Sequence, residues 1–246
     1  VLAQYTALLL LLVGALRYEG RILLHFRWSE CWHPETLLRY FHVGKYLLIR
    51  TLMLQAVMLS FIRYGGTIGV TTLAANSLLM QLFTLFSYFM DGLAYAAEAL
   101  VGEAIGARSY GRLKQIIRLT LRVGIATALM TALLYAFVPR PFLILLTDKA
   151  DVLDYALKYS YWMAAVPLVS FGAFLWDGIL VGATDSKTMG IAMIFAALTF
   201  FVTTELALPW LGADGLWLAF LCYLSVRSLI EHFRGSQRIH RLSANA

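Results

Sequence analysis

The sequence predicts an all-α integral membrane protein whose main part is a six-helix bundle, preceded by part of one further helix. Its 246 residues are 61% hydrophobic and only 14% charged, with a mean hydropathy of +0.74. Soluble domains average about 25% charged residues. Separate apolar runs approach the roughly 20 residues that cross a bilayer as a helix, and none shows the alternation of a membrane β-strand. Helices are therefore predicted throughout.

The first apolar run is interpreted as the end of a membrane helix. It is apolar from its first residue, and its positive charges follow the run instead of preceding it as they do in a signal peptide. The predicted segments are a partial transmembrane helix over 1–16, a cytoplasmic linker over 17–42, a six-helix lobe over 43–233 and a basic tail over 234–246. Such an order is expected for the back half of a longer protein.

Six apolar runs define the predicted lobe. They cover about 43–62, 73–104, 119–138, 159–181, 188–208 and 216–233. A glycine-containing turn separates the first two, and the third ends at Pro139, where a helix cannot continue. The mixed segment around Lys149 and Asp151 predicts a short helix at the membrane interface.

Lysine and arginine are distributed unequally between the two ends of these helices. One end carries only Arg63, Arg140, Lys149 and Lys158. The other carries both long basic connections and the basic tail. The positive-inside rule predicts that the basic end, and with it the C-terminus, faces the cytoplasm of a cell whose inner membrane holds the protein.

Acidic residues within the apolar runs are the first candidate functional groups. Asp91 and Glu98 lie about 20° apart on one helix face, among small residues that would let another helix or a solute approach. Depth along the helices predicts that Asp91 meets Arg50 in an ion pair, with Arg227 as the alternative partner. Asp177 and Glu98 lie near the boundary, where they could instead extend into headgroup water.

A functional interpretation is that these acids line a wet cavity open to the cytoplasm. Asp91, Glu98 and Asp177 would attract a cationic solute or exchange protons there. The polar side chains that could line the same space, or only bridge helices, are Gln55, Asn76, Gln81 and Tyr88.

The sequence predicts no enzyme. It contains no nucleophile elbow, zinc-protease motif, phosphate loop or Cys/His cluster, so no catalytic residue, metal site or cofactor is predicted. The net charge of +6 is explained by helix orientation, and no nucleic-acid partner is expected.

Two long motifs resemble the multidrug and toxic compound extrusion (MATE) transporters, and most of all their DNA-damage-inducible F branch. They are FMDGLAYAAEALVGEAIGAR at Phe89 to Arg108 and WDGILVGATDSK at Trp176 to Lys187, supported by IRTL at Ile49 to Leu52. The resemblance implies the second lobe of an antiporter that exports small organic, often cationic, compounds by alternating access. It also implies a first lobe as partner, absent from this sequence.

The resemblance favours protons over sodium as the coupling ion. Sodium-coupled relatives carry acids on the first and fourth helices of this lobe, whereas the first helix here has Arg50 and Gln55 but no acid. Two alternatives remain open: a lipid-linked precursor flippase of the same superfamily, and a non-transporting membrane scaffold.

Overall fold

The computed structural model describes residues 2–24 and 34–244, and every regular element in these ranges is a helix. The helices are α1 (Leu2–Leu24), α2 (Pro34–Ile68), α3 (Val70–Gly106), α4 (Tyr110–Phe137), α5 (Pro139–Ile144), α6 (Ala150–Gly182), α7 (Ser186–Leu211) and α8 (Ala213–Ala244). The chain divides into two units, Val1–His42 and Val43–Ala246. The first contains α1 and the start of α2.

Six helices in the described ranges are long and apolar enough to cross a membrane. They lie in α2, α3, α4, α6, α7 and α8, which confirms the predicted all-α membrane fold and its six-helix lobe. Most of them extend past the apolar runs. Helix α4 begins at Tyr110, nine residues before the predicted run, because its basic first turns continue the helix beyond the hydrocarbon.

The predicted segment boundaries are not marked by helix ends. Helix α1 continues past residue 16 to Leu24, and α8 continues past residue 233 to Ala244. Residues 25–33 of the predicted linker lie outside the described residues. The boundaries at 16, 42 and 233 therefore stay predictions.

The connection between α4 and α6 differs from its prediction. The short helix is α5, which begins at Pro139, where proline suits a first turn because that position needs no N–H donor. Asp151, placed by the sequence in the interfacial segment, lies in the first turn of α6, where a carboxylate interacts favourably with the helix dipole.

Helix α6 occupies the middle of the second unit and packs against α3, α4 and α8. Helix α7 packs mainly against α8. Large aromatic side chains fill the core between these helices: Phe61, Trp217 and Phe220 are buried, with the Phe61 and Trp217 rings edge to face at 5.0 Å. This core holds in place the helices that carry the buried charged side chains.

Helices α3 and α6 cross at close range. A Cβ atom added at Gly178 would lie 2.1 Å from the carbonyl oxygen of Ala94, and one at Gly182 would lie 2.5 Å from that of Glu98. The two glycines are four residues apart, the spacing of a membrane helix-packing motif. Among the small residues near Asp91 and Glu98 on α3, Ala94 and Ala97 are buried, whereas Gly92 is exposed.

Candidate functional site

Four charged side chains meet between α2, α6 and α8. Asp177 Oδ2 accepts hydrogen bonds from Nη2 of both Arg50 and Arg227. Arg227 in turn donates through Nε to Glu231 Oε1 at 3.3 Å, one helical turn further along α8. All four residues lie within helix segments long and apolar enough to span a membrane. We call this set the charge network.

Three members of the charge network are buried: Arg227 is 3% exposed, Asp177 8% and Glu231 0%. The fourth, Arg50, keeps 26% of its side chain exposed. Isolated charges at such depth are costly, but two guanidinium groups here face two carboxylates, so their formal charges cancel. The guanidinium of Arg227 also lies 5.9 Å from the centre of the Phe174 ring, which favours a cation on that face.

Each carboxylate of the network keeps one oxygen without a hydrogen bond. Asp177 Oδ1 and Glu231 Oε2 are buried, and no donor among the described residues reaches them. A carboxylate has lone pairs on both oxygens, so each of these two oxygens is an acceptor that the described part of the bundle leaves unused.

The predicted pairing of Arg50 with Asp91 is wrong, because Arg50 bonds to Asp177 instead. Asp91 is half-buried on α3, within electrostatic range of Arg50, Arg227 and Asp177, but forms no ion pair with a described residue. A depth estimate can place two residues at one level of the membrane, but it does not give the rotation of each helix about its axis. In the structure, the Asp177 side chain of α6 lies between Arg50 and Arg227.

Asp177 does not extend into headgroup water as one prediction allowed. Its side chain is 11% exposed and held by both arginines. Glu98 is half-buried beside the α3–α6 crossing, where its carbonyl oxygen faces Gly182. Among the predicted candidates, Arg50 and Asp177 are in contact, with Asp91 nearby.

The polar candidates do not share one cavity with the acids. Gln55 is exposed on α2, whereas Asn76 is buried and its Oδ1 accepts a hydrogen bond from Trp217 Nε1 at 3.0 Å. Gln81 and the 70% exposed Tyr88 line a separate surface pocket of about 290 Å³ between α3 and α5. Their predicted roles in a transport path therefore stay predictions.

Asn76→Ala is expected to destabilise the bundle by about 1–3 kcal/mol, because it leaves the buried Trp217 N–H without an acceptor. The change would appear as a lower melting temperature of the purified, detergent-solubilised protein. Trp217→Phe removes the donor itself and serves as the matched variant. If the two effects simply add in the double variant, the hydrogen bond is not the cause.

Sequence reasoning missed Glu231. It lies in the last apolar run, four residues after Arg227, and this i, i+4 spacing is the signal that could have identified it. Arg227, predicted as an alternative partner of Asp91, instead bridges Asp177 and Glu231.

Comparison with known proteins places the chain among membrane transporters. The sequence profile of the MatE family matches residues 47–204. DNA damage-inducible protein F of Escherichia coli is 34% identical over 191 residues, which cover 78% of this chain and 41% of that protein. The probable multidrug resistance protein NorM of Rhizobium meliloti is 28% identical over 187 residues, covering 73% and 40%.

The fold agrees with the sequence comparison. The crystal structure of the Vibrio cholerae MATE transporter VcmN in the bent form superposes with a TM-score of 0.81 at 12% identity, over 94% of this chain and 54% of that one. The chain spans less than half the length of the curated relatives it matches. The resemblance to the DNA-damage-inducible F branch is confirmed, and the chain belongs to the MATE family of membrane transporters.

Proposed function

We propose that this chain is the C-terminal lobe of an antiporter that exports drugs or organic cations in exchange for protons by alternating access. The observation that carries the proposal is the buried charge network, in which Asp177 joins α2 to α8. Family membership supports efflux as the general activity.

The network suits proton coupling because its positive and negative charges are balanced, and the packing of α2 against α8 depends on that balance. Protonation of Asp177 would remove the negative charge that holds Arg50 and Arg227 together. The two arginines would then repel each other across the interior of the bundle. A change in proton occupancy would in this way alter the packing of α2 against α8, the kind of bistable contact that alternating access requires.

The substrate path would follow the exposed face of α3. Tyr88 and Tyr95 are each 70% exposed and Phe89 is 62% exposed, at helical spacing on the face that includes Gly92. Aromatic rings bind organic cations over their faces. Asp91 adds a carboxylate to this part of α3, because it directly precedes Gly92 in the chain. A small cationic, partly apolar compound matches this combination.

The setting of the proposal is an inner membrane with the C-terminus in the cytoplasm. The concentration of lysine and arginine at one end of the helices supports this orientation. The partners are the bilayer and an N-terminal lobe of the same transporter. No cofactor or enzymatic activity is part of the proposal.

The test is efflux of a fluorescent organic cation from vesicles containing the complete reading frame that includes this chain. An imposed proton gradient is expected to drive dye transport, whereas a sodium gradient of equal size is expected to leave transport at background. Glu231→Gln serves as the network variant and is expected to weaken proton-driven transport, because it removes a carboxylate whose Oε2 receives no hydrogen bond from any described residue. Transport driven by sodium alone would contradict the proposed coupling.

A further inference from the structure

A pocket of about 420 Å³ opens between α4, α6 and α8, and its lining includes Trp176 and His232, the chain neighbours of Asp177 and Glu231. Its wall includes Lys114 and Arg118 from α4 and His232 and Ser236 from α8. The predicted apolar runs of these two helices begin at residue 119 and end at residue 233. The pocket therefore lies at the edge of the hydrocarbon, at the basic end of the bundle.

The pocket carries positive charge. Lys114 and Arg118 are one helical turn apart on the same face of α4, and among the described residues no aspartate or glutamate lines the pocket. Within the described part of the chain neither cation forms an ion pair, unlike Arg112, which bonds to Glu103 at 2.8 Å. Two neighbouring like charges are unfavourable unless an anion lies between them.

The inner wall of the pocket is built by a close contact between α6 and α8. Trp176 Nε1 donates to His232 Nδ1 at 3.1 Å, which leaves the Nε2 proton of His232 as a further donor. Gly235 makes this contact possible, because a Cβ there would lie 2.5 Å from the Trp176 ring. The indole and imidazole rings are thereby held in contact with each other at the wall of the pocket.

Apolar side chains lead from the pocket toward the middle of the membrane. On α4, Ile117 and Leu121 line it, and Ile125, one turn further, is 44% exposed. On α8, Phe233 and Leu229 are 61% and 54% exposed on the turns next to Ser236 and His232. A ligand with an anionic head and an acyl chain would match the basic pocket and the adjoining apolar strip together.

We propose that this pocket binds the headgroup of an anionic phospholipid from the adjacent leaflet. The phosphate would lie between Lys114 and Arg118 with the Nε2 proton of His232 as a third donor, and the acyl chains would lie along Ile125 and Leu229. This inference is independent of the transport activity proposed above, because the pocket shares no residue with the charge network.

Binding is tested by native mass spectrometry of the complete purified protein titrated with phosphatidylglycerol and with phosphatidylcholine. Wild type is expected to retain phosphatidylglycerol preferentially, and Lys114→Gln with Arg118→Gln to weaken that retention about tenfold. The control is Lys187→Gln with Arg234→Gln, which removes two exposed positive charges at the same end but outside the pocket and is expected to change nothing.

A second measurement does not depend on variants. A photoactivatable phosphatidylglycerol is expected to cross-link to wild type at peptides containing residues 114–125 and 229–240. Cross-links confined to other helices, or an equal loss of lipid in both double variants, would overturn the proposal. Displacement of the lipid by millimolar inorganic phosphate would likewise overturn it, because the ligand would then be the free anion.

Discussion

Asp177→Asn is expected to destabilise the bundle more than any other single neutralisation of an acidic residue in the described helices. Asp177 Oδ2 is the common acceptor of Arg50 and Arg227, and the Arg227 side chain is 4% exposed. Removing one partner of a buried ion pair typically costs about 3–5 kcal/mol, because a charge remains buried without compensation. Melting of the complete, detergent-solubilised transporter should show a loss of folded protein at temperatures that wild type survives.

Asp91→Asn is the matched control, since it makes the same chemical change on the neighbouring helix. Asp91 is half-buried and forms no ion pair with a described residue. The melting temperature of the Asp91→Asn protein should therefore stay near that of wild type. Adding Arg50→Gln to Asp177→Asn should restore part of the lost stability, because one unpaired guanidinium is then removed. Equal melting of the Asp177→Asn and Asp91→Asn proteins would contradict a structural role for the network.

The same pair of variants separates stability from transport. If α3 lines the substrate path, Asp91→Asn should reduce efflux of a fluorescent cation while the amount of folded protein stays unchanged. Asp177→Asn should reduce both. A protein with Asp91→Asn that transports normally would remove Asp91 from the proposed path.

The helical architecture could be predicted because hydropathy reports it directly. A bilayer requires long apolar helices, so six such runs predict six spanning helices whatever their packing. Helix ends were harder to predict, since a helix can continue into water when its residues form helix readily. The first turns of α4 and the last turns of α8 do so, and hydropathy alone cannot detect them.

The site could be predicted only in part, because pairing depends on how each helix is rotated about its axis. Charge and depth predict that Arg50 lies beside Asp91 and that Asp177 lies near the boundary, whereas Arg50 pairs with Asp177. Gly178, the residue after Asp177, lies at the α3–α6 crossing, and Asp91 has no ion pair with a described residue. Glu231 was missed but could have been predicted, because it lies four residues after Arg227 on the same helix. This i, i+4 spacing identifies the pair without any knowledge of how the helices pack.

Gly178→Ala is the second change with a large expected effect, because it acts on this crossing. The new Cβ would lie 2.1 Å from the backbone oxygen of Ala94, so α3 and α6 would have to separate. Overpacking of a close contact costs about 1–3 kcal/mol, occasionally more, and a rigid backbone neighbour favours the upper end. Displacement of α6 would also move Asp177 away from Arg50 and Arg227, so melting temperature and proton-driven efflux should fall together.

Two further variants identify the backbone contact as the cause. Gly92→Ala, also within a membrane-spanning helix, adds a Cβ that meets nothing within 4 Å and should leave melting unchanged or raise it slightly. Ala94→Gly should fail to rescue Gly178→Ala, because the clash is with the carbonyl group of residue 94 and not with its methyl group. Recovery of the melting temperature by Ala94→Gly would show instead that side-chain volume controls the distance between α3 and α6.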